Sequence, residues 1–448
     1  MDPQDAVATS TASTAVSERV RVSPWVVLLI IVLALVLRVG YVGYVLTRDS
    51  ELHFPDERQY LNIAENFLKG EGLTVTIDSR TREPLHYPQE IQRPPIYPLT
   101  LALVERAGWG LTGMRLVQAA AGVLTCLVIY LLAVELVGER PARIAGLIAA
   151  AYPFYIYFTG RILSETLFLL FFVTSWYYVV RTWKEVREGA ETTRWLASCL
   201  IAGLLGAVAV LTRSSALPVY LAVPVVWLIM GPRRSEGLAA GLLMLIVLGV
   251  GLSPWVARNF RRSGTKETGG RLVLTTLKTG ESLYEAIGPF ATGGPNKENT
   301  QWPPEAEAMA ADEYLRNQYL LELSVSYMKN NPGRTLRLAI VKFLRTWNVI
   351  PNYTALRKPF YIVVSLVSYV PVLLTAVLGL AVGFKRRRAL VLTLLPIVVI
   401  TLVHMVFVGS VRYRLSVMPF VMVLSGAGVW WLVCKVFKVG GRTVEEEV

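Results

Sequence analysis

The sequence predicts an all-α polytopic membrane protein, and three observations carry that expectation. Of its 448 residues, 54% are hydrophobic and only 17% charged, too apolar a balance for a typical soluble protein. Apolar runs of about 20 residues recur along the chain, the length that crosses a bilayer core of about 30 Å. The basic residues behind the net charge of +13 gather in short loops between those runs. That is the pattern of topology signals and anionic headgroup contacts, and it argues against nucleic acid as a partner. No zinc or nucleic-acid motif is present. Cys126, Cys199 and Cys434 lie inside or at the end of apolar runs and read as small buried residues.

Residues 1–20 are rich in Ser, Thr, Ala and Val and read as a disordered N-terminus. The run Pro24 to Leu46 is too long for a signal-peptide core and lacks a small-residue cleavage site. It reads as the first of ten crossings: 24–46, 112–137, 142–159, 164–181, 195–212, 214–230, 237–254, 359–383, 389–408 and 415–436. An eleventh apolar segment, 95–108, is short and interrupted by Pro98 and Glu105. It suits a juxtamembrane or re-entrant helix better than a crossing.

Ten crossings put both termini on one side. That side carries Glu139–Arg143, Lys184–Arg194, Pro232–Arg234, Lys385–Arg388, and the tail residues Lys435, Lys438 and Arg442. By the positive-inside rule it is cytoplasmic. Counting 95–108 as a crossing would turn Lys385–Arg388 outward. The expected organisation is therefore a cytoplasmic N-terminus (1–20) and a transmembrane core (21–254) with a first outer loop at 47–94. An outer-face helical domain (255–358), the last transmembrane helices (359–436) and a cytoplasmic tail (437–448) follow.

In the first outer loop, Tyr60, Leu61, Ala64, Phe67 and Leu68 recur at helical spacing, with Gly70 as a C-terminal cap. Asp56 and Gln59 match a capping box, and the helix suits the membrane surface. The stretch 71–94 has no helical period and reads as a loop able to cover a cleft. In the second outer loop, residues 304–329 look helical. A second helix after Pro332 sets Leu336, Ala339, Ile340, Phe343, Leu344 and Trp347 on one face. Its basic residues fall largely elsewhere, which suits either the headgroup region or packing on the outer domain.

Asp56 follows the first crossing and Glu165 opens the fourth, so both stand on the outer face. Each has a local explanation, as an N-cap and as a first-turn charge. Together they define one outward cleft, where a carboxylate can act as a general base. Arg93, Arg161, Arg213, Arg258, Arg261, Arg262, Arg412 and Arg414 also fall at outward ends, against the positive-inside bias. Any one of them can be a salt-bridge partner. As a group they suit a phosphate site, since a guanidinium binds phosphate through paired hydrogen bonds. His53 and His86 could join Asp56 or Glu90 around a divalent ion, and Glu57 could bind that metal or support the residues that do. His404, inside an apolar run, reads as a core residue or as part of the cleft wall.

Several segments together resemble the polyprenyl-phosphate-dependent glycosyltransferases of the GT-C fold. The likeness is to the group of protein O-mannosyltransferases and the lipid A aminoarabinose transferase, and it runs from about residue 24 to 432. Its marks begin with Asp56-Glu57, Tyr60, Phe67-Leu68-Lys69-Gly70 and Arg93-Pro94-Pro95-Ile96-Tyr97-Pro98. They continue with Leu163-Ser164-Glu165-Thr166-Leu167-Phe168, Leu211-Thr212-Arg213 and Pro254-Trp255-Val256-Ala257-Arg258-Asn259. Asn331-Pro332-Gly333-Arg334 and Arg412-Tyr413-Arg414-Leu415-Ser416-Val417-Met418-Pro419 complete the set.

What the resemblance implies is an inner-membrane enzyme that transfers a sugar, with inversion, from a polyprenyl-phosphate donor on the extracytoplasmic face. Asp56 matches the family's catalytic acid, which would deprotonate or orient the acceptor hydroxyl. Glu165 matches its second outer acidic position, a catalytic candidate that could assist that step or position the acceptor. Arg93, Arg161, Arg258, Arg412 and Arg414 become candidates to hold the lipid phosphate, with Glu57, Tyr60, Tyr97 and Arg213 around them or the acceptor. Relatives in the aminoarabinose branch carry Glu-Lys where this chain has Gln92-Arg93, so a carboxylate that could bind metal there is absent. The acceptor stays open between a glycan, a lipid and a protein. A lipid-linked oligosaccharide flippase is the rival reading, and an O-antigen ligase or polymerase is another. A flippase would place acids or broken helices near mid-membrane, and such folds are often built from internal repeats.

Overall fold

The computed structural model describes residues 22–231, 233–264, 269–296, 298–352, 357–382 and 387–437. The expected disordered N-terminus, most of the tail and its Lys438 and Arg442, Pro232, and Lys385-Arg386 lie outside these described residues. In chain order come α1 (Pro24–Arg48), α2 (Pro55–Leu68), β1 (Val75–Ile77), β2 (Pro84–Gln89) and α3 (Ile96–Arg106). Then follow α4 (Gly110–Val137), α5 (Glu139–Ala151), α6 (Pro153–Thr159), α7 (Glu165–Glu188), α8 (Thr192–Thr212), α9 (Leu217–Met230) and α10 (Arg234–Arg262). The second outer loop forms α11 (Thr279–Ile287), α12 (Pro304–Ala308), α13 (Glu313–Asn330) and α14 (Pro332–Trp347). The chain closes with α15 (Pro359–Val382), α16 (Arg387–Val406), α17 (Val411–Arg414) and α18 (Met418–Phe437).

Among the described residues, α1, α4, α8, α10, α15, α16 and α18 are long and apolar enough to cross a membrane. The chain is a multi-pass membrane protein. The remaining expected crossings are present in altered form. Residues 142–159 break at Tyr152-Pro153 into α5 and α6, α7 is a 24-residue helix, and α9 is short. At 11 residues, α3 is too short to cross, since a helix rises about 1.5 Å per residue.

Small residues set the spacing between helices where no hydrophobic effect drives them together. On α1 the buried positions are Ile30, Ala34, Arg38, Val42 and Val45, a narrow stripe, while Leu28, Leu29, Leu35 and Val36 stay exposed. On α18, a Cβ added at Gly428 would lie 2.0 Å from the Thr375 carbonyl of α15. One added at Gly426 would lie 2.4 Å from the Pro141 carbonyl of α5. Only glycine lets α18 wedge between those two helices.

The break in the third crossing has a chemical consequence. Pro153 carries no amide hydrogen, so the Ala149 carbonyl loses its helical donor. Arg38, buried in mid-span, supplies the substitute. Its Nη1 donates to the Ala150 carbonyl at 3.1 Å and its Nη2 to that of Ala149 at 3.4 Å. A cation at the C-terminus of α5 also complements the helix dipole.

The first outer loop differs from the expected all-helical and irregular pieces. Residues 75–77 and 84–89 pair as a small antiparallel hairpin. The buried face of α2 includes Asn62 and Asn66, whereas Phe67 and Leu68 are exposed. The reason is polar: Asn62 Oδ1 accepts from the Thr76 amide at 2.8 Å, and Asn66 Nδ2 donates to the Thr74 carbonyl at 3.0 Å. Nor does Asp56 cap α2. Glu57 caps it, accepting from the amides of His53 at 2.7 Å and Phe54 at 2.8 Å.

In the second outer loop, α10 continues past Pro254 to Arg262. Trp255 Nε1 donates to the Thr275 carbonyl at 2.6 Å, and Asn259 Nδ2 bonds the carbonyls of Val273 and Thr275 at 3.2 Å each. These bonds fasten the helix extension to the loop. On α14, Leu336, Ile340, Phe343 and Leu344 remain exposed, while Lys342 turns inward and donates to the Val406 carbonyl at 2.6 Å.

Candidate functional site: a carboxylate and arginine cluster on a large cavity

Five segments meet at one end of the bundle. α2 brings Asp56, Gln59 and Tyr60, and the turn before α3 brings Arg93. The start of α7 brings Ser164 and Glu165, the end of α8 Arg213, and α17 Arg412 and Tyr413. The crossing count puts Asp56, Glu165, Arg213 and Arg412 on one face, and the packing of the helices brings them together.

Arg412 is the hub. Its Nη1 donates to Asp56 Oδ2 at 2.7 Å, and its Nε donates to Glu165 Oε1. Arg93 donates through Nη2 to the other Asp56 oxygen and through Nε to Gln59 Oε1 at 2.7 Å. Arg213 Nη1 reaches Glu165 Oε1 at 2.7 Å. The Arg93 guanidinium lies 5.2 Å from the Tyr60 ring centre, and Arg412 lies 5.7 Å from that of Phe54. Tyr60 donates to Ser164 Oγ at 3.2 Å. Three guanidinium groups thus face two carboxylates, an excess of one positive charge before Lys278 nearby is counted.

Burial alone would push the Asp56 carboxyl up. The guanidinium groups of Arg93 and Arg412, with Lys278, outweigh burial and hold it well below the usual carboxylate range. The same pairing raises Arg93 against its own burial penalty. Asp56 is half-buried and remains accessible from the cavity, whereas Glu165 is 3% exposed and enclosed between its arginines.

This cluster stands on the wall of a cavity of about 1290 Å³. Aromatic residues of α1, α6 and α15 line part of it: Tyr41, Tyr44, Phe154, Tyr157, Phe360 and Tyr361. Polar residues of the first outer loop and the α11 region line another part, among them Asp78, Ser79, Thr275, Thr276, Ser282 and Asn296. His404 also lines it and stacks on Tyr413 with ring centres 4.2 Å apart.

Other sequence-predicted residues go elsewhere. Arg161 is buried against Asp49, with its guanidinium 4.9 Å from the Tyr157 ring centre. Arg258 bonds the Glu90 carbonyl at 3.0 Å and lies over Trp255. Arg414 bonds the Asn348 carbonyl at 2.6 Å and lies 3.5 Å from the Tyr369 ring centre. None of the three lines the cavity. Tyr97 is buried behind Tyr60 and bonds Gln118 Oε1 at 3.0 Å. Glu57 is buried too, and besides its cap it accepts from the Ile162 amide at 2.8 Å.

The proposed metal ligands do not converge. His53 Nε2 meets Asp49 at 2.5 Å, and His86 sits exposed on β2 against Tyr87. Glu57 spends its oxygens on backbone amides. Among the described residues, no group of three or more His, Cys, Asp or Glu side chains could hold a metal ion. Reading the sequence missed Gln59 as a partner of Arg93, although it stands one turn from Asp56 on α2. It also missed Lys278, which lies in a loop with no periodicity to flag it.

A helical bundle of this fold is found in solved proteins. An oligosaccharyltransferase from Archaeoglobus fulgidus, tethered to an acceptor peptide containing the NVT sequon, superposes over 94% of this chain with a TM-score of 0.59 and 14% identity. The chain has the GT-C fold. The same archaeal protein in complex with an inhibitory peptide and a dolichol-phosphate superposes with a TM-score of 0.58 over 94% of this GT-C chain. That match covers 52% of the archaeal protein, so this chain spans about half its length. ArnT from Cupriavidus metallidurans bound to undecaprenyl phosphate matches 90% of this chain and 76% of its own, at 17% identity and a TM-score of 0.39. A family model described as dolichyl-phosphate-mannose-protein mannosyltransferase matches residues 92–257. No curated protein sequence matches the chain.

Proposed function

We propose that this GT-C protein is an integral membrane glycosyltransferase that takes a sugar from a polyprenyl-phosphate donor and passes it to a hydroxyl acceptor. One observation carries the reading. Asp56, half-buried on the wall of a 1290 Å³ cavity, is flanked by Arg93 and Arg412, one on each carboxylate oxygen. A carboxylate there can take the proton of an attacking hydroxyl. Fixed guanidinium groups there can stabilise the charge that grows on a departing phosphate.

In the proposed reaction the acceptor oxygen attacks the anomeric carbon as the bond from that carbon to the phosphate oxygen breaks. The acceptor proton goes to Asp56, and polyprenyl phosphate leaves with the bonding electrons. Attack opposite the leaving group inverts the anomeric centre. Glu165, enclosed between Arg213 and Arg412, holds the cations in place and does not face the acceptor. The aromatic wall suits an isoprenoid chain, because Tyr44 and Phe360 are also exposed on the outer surfaces of α1 and α15. The polar wall near α11 suits the sugar and acceptor. Basic loops on the other side of the membrane favour an extracytoplasmic site in the cytoplasmic membrane.

The test is a donor panel. Purified protein in liposomes is given polyprenyl phosphates bearing different sugars, and release of free polyprenyl phosphate is followed. Release from one donor supports the reading and names the sugar. Intact donor that moves between leaflets without being consumed would favour a flippase instead.

A further inference from the structure

The arginines expected to receive the donor phosphate are already engaged. Asp56 takes Arg93 on one oxygen and Arg412 on the other, and Glu165 takes Arg412 and Arg213. A phosphodiester entering the cluster presents two charged non-bridging oxygens, which a guanidinium binds in a fork as it binds a carboxylate. It therefore cannot take up those guanidinium groups fully while Asp56 retains both. Resting on the proposed donor class, the geometry points to Asp56 as an internal occupant of the donor-phosphate seat, which hands Arg93 and Arg412 to the phosphate when donor binds and is thereby freed to accept a proton.

The exchange explains a conflict in the resting site. A carboxylate paired on both oxygens by guanidinium groups is a weak base, since an efficient general base has a proton affinity matched to the working pH. Giving its counter-ions to the donor removes the cause of that weakness only when substrate is present. Burial makes the hand-over possible without loss of order. Glu165 keeps its hold on Arg412 Nε and on Arg213, so Arg412 stays in place while its Nη1 changes partner. Gln59 does the same for Arg93 Nε. Each arginine therefore has one fixed hydrogen bond to a neutral or enclosed neighbour and one to the carboxylate that gives way. Glu165 and Gln59 are positioning residues on this account, and Asp56 is the competitor.

The consequence is counter-intuitive and measurable. Removing the competing charge at Asp56 strengthens binding of the lipid phosphate while slowing turnover at least about 10²-fold. The experiment titrates the full-length protein in detergent with farnesyl phosphate, with farnesol and inorganic phosphate as controls. Wild type, Asp56→Asn, Asp56→Glu and Asp56→Asn/Arg412→Gln are compared, and thermal unfolding of each confirms that it is folded. The expected result is farnesyl phosphate binding that tightens about tenfold or more in Asp56→Asn, the scale of one close charge-pair interaction. Asp56→Glu, which keeps the charge, should show no gain, and the double variant should lose it. Binding by folded Asp56→Asn that equals or falls below wild type would overturn the exchange and leave the transferase reading intact. Saturable binding by none of the proteins would overturn the donor class itself, and the exchange with it.

Discussion

Arg412 and Asp56 are joined by a 2.7 Å hydrogen bond from Nη1 to Oδ2, and the same guanidinium holds Glu165 through Nε. One planar side chain thus ties the first outer loop to the start of α7 from a position between α16 and α18. A fork is essential to that geometry, because the two bonds leave the guanidinium at fixed angles. Lysine keeps the charge and loses the fork. Arg412→Lys should therefore lower turnover by about 10²- to 10³-fold, the scale of losing one fixed donor to a developing charge. Steady-state rates on the donor identified by the panel, with thermal unfolding as a control, measure the loss.

Glu57 has a structural task distinct from that of its neighbour. Its carboxylate receives the amides of His53, Phe54 and Ile162, joining the start of α2 to the turn before α7. Glu57→Ala leaves buried amides without acceptors, each worth about 1–3 kcal/mol. The variant should unfold at least about 3 kcal/mol more easily, and Glu57→Gln, which keeps one acceptor oxygen, should lose less. Chemical unfolding in detergent compares the two.

Arg38 and Pro153 form a second coupled pair. In an apolar span, an unsatisfied carbonyl costs several kcal/mol, and Arg38→Met would strand those of Ala149 and Ala150. The variant should be strongly destabilised. Gly122→Ala should reproduce part of that loss, since its Cβ would meet Arg38 Nε at 2.6 Å. Melting temperatures of the two single variants and the double variant should be less than additive if both act through Arg38.

Much of this architecture can be read in the chain, and the failures share a cause. The crossings, the short α3 and the shared face of Asp56, Glu165, Arg213 and Arg412 follow from apolar length and charge placement. Those signals survive because the bilayer enforces them residue by residue. Apolar periodicity instead puts Tyr60, Ala64, Phe67 and Leu68 on one stripe at the membrane surface, whereas Tyr60 and Ala64 are buried and Phe67 and Leu68 exposed. Asn62 and Asn66 are buried there because the hairpin offers hydrogen-bond partners that no periodicity announces. Glu57 rather than Asp56 caps the helix for a similar reason, since the third partner, Ile162, lies far away in sequence. Arg161, Arg258 and Arg414 carry the same outward signal as Arg93 and Arg412. Their partners, Asp49, Glu90 and Asn348, belong to tertiary structure and decide which arginines reach the cavity.

Lys342 supplies a pH test of the outer domain. Burial alone pushes its ammonium down to about 8 from an ordinary 10.5. The unfolded chain then binds more protons than the native one between those values, so stability rises with pH across that window. Below about pH 8 the lysine is charged in both states, and the full cost of burying it is present. Wild type should gain stability from about pH 8 upward, and Lys342→Met should show a flatter profile over the same range. Thermal unfolding at a series of pH values separates the two.

In the proposed reaction Asp56 takes the acceptor proton as the sugar leaves the lipid phosphate. The most direct test of that step is single-turnover chemistry with wild type and Asp56→Asn, each saturated with the donor found in the panel. Wild type should release polyprenyl phosphate and form an inverted glycoside. Asp56→Asn should bind donor yet release at least about 10²-fold more slowly, the contribution of a positioned base. Equal release by a folded Asp56→Asn protein would contradict the account.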